Sequence, residues 1–308
     1  MIYAITYSDE KYQRSARFNL ITAKLFGGAD RVWQYSPDDI DELFYSKYKN
    51  ILSNPRGAGL WMWKPYIILK ALEKIEYGDY LMYMDAGAYY IRSLKYLKGQ
   101  LERDEKDILL SSILLPNAHW CKRDAFIIMD CDMKEAKEMH QVEATYVFFK
   151  KTDHSIQFIK KWLEWMTNEH LIDDSDNILG KPNYPGFREN RHDQTVLSLL
   201  AYKEGIEPYK GISDSSELHR FLWYGNGSFF GYTFDDFRLL ARNEAKSSVY
   251  QKAKYPRIVV NARLRKQTWY AFGKGIIKTF IRAVQVDRQI KKDLKLKECD
   301  LYSLRKEF

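Results

Sequence analysis

A lone carboxylate closing an apolar run is the first place in this chain where chemistry could be done. Tyr80-Leu81-Met82-Tyr83-Met84 leads into Asp85-Ala86-Gly87, the pattern of a buried strand that ends in a turn. An acid at the carboxyl end of a parallel strand stands where open α/β sheets bind ligands. The two small residues after it let backbone, or a metal-bound diphosphate, approach closely. Mg²⁺ and Mn²⁺ take hard oxygen ligands, often one or two carboxylates plus substrate phosphates, so Asp85 is a candidate metal ligand. A structural acid in a turn explains the same residue. A second group, Arg191-His192-Asp193-Gln194, opens a segment with Val196, Leu197, Leu199 and Leu200 on one helical stripe. Asp is a preferred N-cap, yet a His-Asp-Gln cluster exceeds what capping needs. His192, Asp193 and Gln194 are therefore candidate catalytic groups.

Two further segments carry suitable side chains. In Trp61-Met62-Trp63-Lys64-Pro65-Tyr66, Pro65 suits the first turn of a helix, and a phosphate there gains from Lys64 and from the helix dipole. Trp61 and Trp63 suit either a core or a sugar face. The stretch His119-Trp120-Cys121-Lys122-Arg123-Asp124 offers polar groups and an aromatic for sugar stacking, or simply a solvated loop.

The elements that must hold these groups follow from periodicity. Residues 1–8 alternate as a strand. A helix capped by Ser8 or Asp9 runs through Phe18, Leu20, Ile21 and Leu25 to Gly27-Gly28, and residues 31–35 form a second strand. This β-α-β opening predicts a doubly wound α/β sheet. Helices are expected over 38–48 and from Pro65 to about Ile75, strands over 107–115 and 143–150, and a helix over 155–167. Residues 171–191, rich in Asp, Asn, Gly and Pro, read as a long loop covering a site.

Charge separates the chain into two parts. Residues 251–308 hold 16 Lys/Arg against 5 Asp/Glu, and the 250 before them hold 33 against 36. The body is nearly neutral, which argues against nucleic acid as a partner, while a basic tail suits an anionic membrane surface. In that tail Trp269, Phe272, Ile276, Phe280 and Val284, widened by Ile277 and Ile281, recur at helical spacing beside Lys274, Lys278 and Arg282, an interfacial pattern. The expected domains are a catalytic 1–250 and a basic, amphipathic helical 251–308. Mean hydropathy is −0.50, and no apolar run approaches the roughly 18–20 residues of a span. The start of the chain reads as a strand rather than a signal peptide. Three cysteines without CxxC spacing suggest neither a disulfide framework nor a zinc finger. The expectation is a cytoplasmic protein, peripheral to the inner face of the cell membrane.

Taken together, the β-α-β opening, Gly59-Leu60-Trp61-Met62-Trp63-Lys64-Pro65-Tyr66, Gly78–Gly87, the Lys122-Arg123-Asp124 segment and His192-Asp193-Gln194 resemble glycosyltransferases of the GT-A fold. The likeness is greatest to those of bacterial capsule and O-antigen clusters, and it covers about residues 1–240. It implies a mixed, mostly parallel sheet flanked by helices. It also implies a nucleotide-sugar donor, such as a UDP-sugar, and a glycan or lipid-linked glycan acceptor. By that resemblance Asp85, Ala86 and Gly87, with Lys64, bind the donor diphosphate and Mn²⁺ or Mg²⁺, and Thr6 and Tyr7 contact the base. Asp193 and Gln194 face the sugar or acceptor, with Trp61, Trp63, Lys122, Arg123 and Asp124 on the acceptor side. Gly87 stands where the common Asp-x-Asp motif has its second acid, so His219 or water completes the metal shell. Rival readings are a sugar-phosphate nucleotidyltransferase, a glycoside hydrolase and a catalytically inactive membrane scaffold.

Overall fold

A computed structural model describes residues 1–213 and 253–261, together with Ile277. Its compact units are Met1–Arg265 and Lys266–Phe308. In the first, the strands are β1 (Ile2–Tyr7), β2 (Arg31–Tyr35), β3 (Tyr80–Met84), β4 (Ala88–Tyr90), β5 (Ile108–Leu109), β6 (Ser112–Pro116), β7 (His140–Val142), β8 (Tyr146–Lys150) and β9 (Val259–Asn261). The main sheet has the order β2-β1-β3-β8-β5. β1 pairs parallel with β2 and with β3, and β8 is antiparallel to β3 and to β5. Among the described strands of that sheet, β8 is thus the one that runs in reverse.

Period-two alternation divides the apolar residues between two cores. From β3, Leu81 and Tyr83 face one side with Ile5, Tyr7, Val147 and Phe149. Tyr80, Met82 and Met84 face the other with Ile2, Ala4, Tyr146 and Phe148. Layers on both faces are why Tyr80–Met84 reads as an unbroken apolar run rather than an alternating one. The longer helices on the first core are Trp63–Glu73, through Ile67, Ile68, Ala71 and Leu72, Asp153–Met166, through Phe158, Ile159, Trp162 and Met166, and Asp193–Lys203, through Val196, Leu197, Leu199 and Leu200. Ala23 of Gln13–Leu25 and Leu97 and Leu101 of Lys95–Arg103 serve the second. Full burial of such side chains is worth about 1.5–3 kcal/mol each.

Several boundaries differ from expectation. The strand anticipated over 107–115 breaks in two, because Ser112 N–H bonds Tyr209 O (2.7 Å) and draws the chain off the main sheet, where β6 then pairs with β7. The strand expected from residue 143 begins at Tyr146. The stretch His119–Asp124, weighed above as a solvated loop, lies across the helical turns Asn117–Trp120 and Arg123–Ile128. The helix expected over 38–48 is interrupted, since Asp39 turns back to cap Ser36 and closes a 3₁₀ turn, Pro37–Asp39, before Glu42–Lys47. Toward the C-terminus, residues beyond the expected 250/251 boundary belong to the first unit: β9 pairs antiparallel with β4, and Tyr255, Ile258 and Val259 are buried. The amphipathic pattern from Trp269 to Val284 and His219 lie outside the described residues, apart from Ile277, which is exposed. Among the described residues no helix is long and apolar enough to cross a membrane.

Candidate active site

Three of the anticipated residues converge where β3 ends. The amide of Asp85 bonds Thr145 O (2.8 Å), carrying the ladder with the strand β8 one step past Met84. Lys64, in the first turn of Trp63–Glu73, is buried, and its ammonium donates to Asp193 Oδ2 (2.6 Å) and Ala144 O (3.0 Å) and pairs with Asp85 Oδ1 at 3.3 Å. Tyr83 Oη donates to the same Asp85 oxygen (2.5 Å). Three partners use all three protons of an ammonium. Lys64 therefore locks two carboxylates in place instead of standing free for a phosphate. Burial disfavours its charge, but Asp193 and Asp85 reverse the effect and raise its pKa above the usual lysine value. Burial likewise raises Asp85, against Lys64 and Tyr83, and pushes the Tyr83 phenol well up.

Two carboxylates against one ammonium leave one negative charge uncompensated. Asp85 is also the more open acid, with 34% of its side chain exposed against 8% for Asp193. Its contacts fall on Oδ1, so Oδ2 remains for a ligand. A hard divalent cation fits such a group. Among the described residues no set of three His, Cys, Asp or Glu side chains closes a shell, so its other ligands would come from substrate phosphate and water.

The scaffold around this cluster is unusually constrained. Buried Asn19 donates to Asp85 O (3.1 Å) and Ala88 O (3.0 Å), pinning the turn that presents Asp85. Before Lys64, residues 57–61 all have positive φ, including Ala58, Leu60 and Trp61 at 50°, 49° and 59°. This left-handed stretch is closed by Trp63 Nε1 donating to Gly57 O (2.9 Å). Asp193 is not the N-cap of its helix. That position belongs to His192, with φ 52°, and Asp193 is left free to meet Lys64. His192 leans on Trp61 with ring centroids 4.8 Å apart. Burial pushes the pKa of His192 below the ordinary histidine value, against Asp174 and Asp193. Such outliers cost about 1–3 kcal/mol each and cluster at functional sites.

The other anticipated residues are placed differently. Thr6 and Tyr7 are buried, and Tyr7 stacks on Trp63 at 3.8 Å, a floor under the site. Ala86 is buried and Gly87 partly so. Gln194 joins the helix Asp193–Lys203 to β7 and the stretch after it, donating to Gln141 Oε1 and accepting from Ala144 N–H (3.4 Å). Lys122, Arg123 and Asp124 clamp the long loop. Lys122 pairs with Asp173 (2.5 Å), Arg123 grips Asp132 through two nitrogens (2.7 and 2.9 Å), and Asp124 meets His170 (2.8 Å) and the amides of Ile178 and Leu179. Asn19, Ala144, Arg56 and Asp174 were not singled out in the sequence, and Tyr83 only as part of the run leading to Asp85. Tyr83 alone carried a signal, since two residues before Asp85 on a strand share its face. A cavity of about 600 Å³ beside Tyr80, Asp107 and His154 lies at the opposite end of β3 and has no part in this cluster.

No family model matches the chain, and no curated protein matches it. Solved structures similar to it include glycosyltransferases. Mouse xyloside xylosyltransferase 1, apo form, matches at 8% identity and TM-score 0.46, over 87% of this chain and all of that one. The galactosyltransferase LgtC, in complex with donor and acceptor sugar analogues, matches at 13% identity and TM-score 0.39, over 84% of this chain and 86% of that one. The bifunctional glycosyltransferase WbbM, apo structure, matches at 10% identity and TM-score 0.43, over 84% of this chain and 45% of that one.

Proposed function

We propose that this protein is a glycosyltransferase that moves a sugar from a nucleotide-diphosphate donor, first of all a UDP-sugar, to a hydroxyl of a bacterial surface glycan or lipid-linked acceptor. The observation that carries this reading is the junction of Asp85, Lys64 and Asp193 at the carboxyl end of β3, where open α/β sheets take their ligands. Glycosyl transfer needs a stabilised diphosphate leaving group and a positioned acceptor hydroxyl. Asp85 Oδ2, followed by the small Ala86 and Gly87, serves the first need. Asp85 would hold Mn²⁺ or Mg²⁺, which would supply positive charge to the departing diphosphate. Asp193, its Oδ2 fixed by Lys64, serves the second: it takes the acceptor proton in an inverting reaction, or steadies the cationic sugar in a retaining one. Lys64 keeps both acids at fixed separation. The basic C-terminal residues bring the enzyme to the inner face of the cell membrane, where a lipid-linked acceptor is found.

A screen of UDP-, GDP- and dTDP-sugars, with and without Mn²⁺, tests this by release of free nucleotide. One donor should release nucleotide in an acceptor-dependent manner. Pyrophosphate formed from a sugar phosphate and a nucleoside triphosphate, with no transfer from any nucleotide sugar, would replace the reading by a nucleotidyltransferase.

A further inference from the structure

We infer that Arg56 and Asp174, with the partly exposed Trp61, form a subsite for an uncharged, hydroxyl-rich sugar ring beside Asp193. It rests on the glycosyltransferase reading for its place in the reaction. Arg56 Nε donates to His192 Nε2 (2.8 Å) and pairs with Asp174 Oδ2 (2.9 Å), while Asp174 Oδ1 lies 3.2 Å from His192 Nε2. Both side chains are about half exposed, 49% and 48%. The hydrogen bond engages Nε alone, so the two terminal amino groups of Arg56 have no hydrogen-bond partner among the described residues.

An ordinary surface ion pair is loosely held and worth little. This one is moored to a buried histidine that packs on Trp61, and both of those residues hold positive φ. Fixed donors and acceptors lose little freedom when a ligand arrives, which favours binding. The type of ligand follows from charge. A free guanidinium fork by itself favours phosphate or carboxylate. Here Asp174 cancels it at 2.9 Å, and the neighbouring Asp85–Lys64–Asp193 cluster already carries excess negative charge. An anion gains nothing at such a place. Adjacent hydroxyls can accept from Arg56 and donate to Asp174, and the apolar face of a sugar ring can lie on the Trp61 indole. His192, which anchors this pair, directly precedes Asp193, the acid assigned to the acceptor.

The test uses the full chain and saturation-transfer NMR with the methyl pyranosides of glucose, galactose and N-acetylglucosamine, against methyl glucuronide, with UDP affinity measured separately by calorimetry. The neutral pyranosides should bind in preference to the glucuronide. Arg56→Gln and Asp174→Asn should each weaken them about 10- to 100-fold, the scale of one hydrogen bond to a charged group, while UDP affinity stays unchanged. Undiminished pyranoside binding in both variants, absence of transfer to every pyranoside, preference for the glucuronide, or parallel loss of UDP binding would each overturn the subsite. A wild-type chain that binds pyranosides but not UDP defeats the nucleotide-sugar reading and leaves the subsite standing.

Discussion

Asp85, Lys64 and Asp193 form a unit whose members have separable effects. Asp85→Asn keeps the shape and removes the charge on the open carboxylate, so turnover should fall about 10²–10³-fold, the usual loss when a charge-stabilising group is removed. Melting temperature should barely move, and near-wild-type turnover would exclude Asp85 from the chemistry. Lys64→Met is expected to act on stability instead, because it strands two carboxylates against a buried, uncharged side chain. Breaking a buried pair typically costs about 3–5 kcal/mol. Urea denaturation should show that loss, and Lys64→Met with Asp193→Asn should recover part of it. An unchanged midpoint for the single variant would mean that the pairing in the fold is not what holds the acids.

At the scale of the element, the left-handed turn before Lys64 and the clamped loop after residue 172 are the parts most open to test. Gly59 has φ +104°, and a Cβ there would lie 2.8 Å from Leu52 Cα, whereas Gly78, at φ +86°, faces open space. Gly78→Ala should cost about 1–2 kcal/mol for left-handed backbone alone, and Gly59→Ala distinctly more; equal costs by thermal unfolding would refute the close approach. The loop clamp predicts an acid response. Burial works against ionisation of Asp132, but Arg123, Tyr184 and Lys181 bring its pKa to about 2 from 3.8, and His170 with two amides lowers Asp124 despite burial. Both folded pKa values lie below the unfolded ones. The stabilisation is therefore complete above about pH 4 and is lost as pH falls toward 2. Acid-stable protease cleavage within 173–190 should rise over that window, and Asp132→Asn should abolish the pH dependence it contributes.

For the molecule as a whole, the uneven charge and the exposed Ile277 lead to a prediction about location. The intact chain should sediment with anionic vesicles and be released by salt, since the Debye length shrinks from about 10 Å at 0.1 M to about 3 Å at 1 M. Ile277→Glu should weaken that binding and leave nucleotide release with a short, water-soluble acceptor unaltered. Equal binding to neutral and anionic vesicles would remove the electrostatic role assigned to residues 251–308.

What the amino-acid order determined by itself was local. Period-two and period-3.6 patterns marked β1, β2, β3 and the helices Gln13–Leu25, Trp63–Glu73, Asp153–Met166 and Asp193–Lys203, because a chain that buries one face must repeat apolar residues at the pitch of its own backbone. Asp85, Lys64 and Asp193 were each visible as residues able to do chemistry. Their meeting was not, since 129 positions separate Lys64 from Asp193 and only the packing of two helices against one sheet brings them together. The same limit hid the partners of Lys64, Lys122, Arg123 and Asp124. A charge that looks free along a chain is spent once folding places an opposite charge beside it, as Asp173, Asp132 and His170 do for those last three. Tertiary structure alone decided that Asp193 would leave capping to a strained His192 and that Arg56, unremarkable in sequence, would stand anchored at the rim. Local propensity disfavours left-handed backbone at Ala58, Leu60, Trp61 and His192, and only surrounding contacts can hold residues in a conformation that their own sterics oppose.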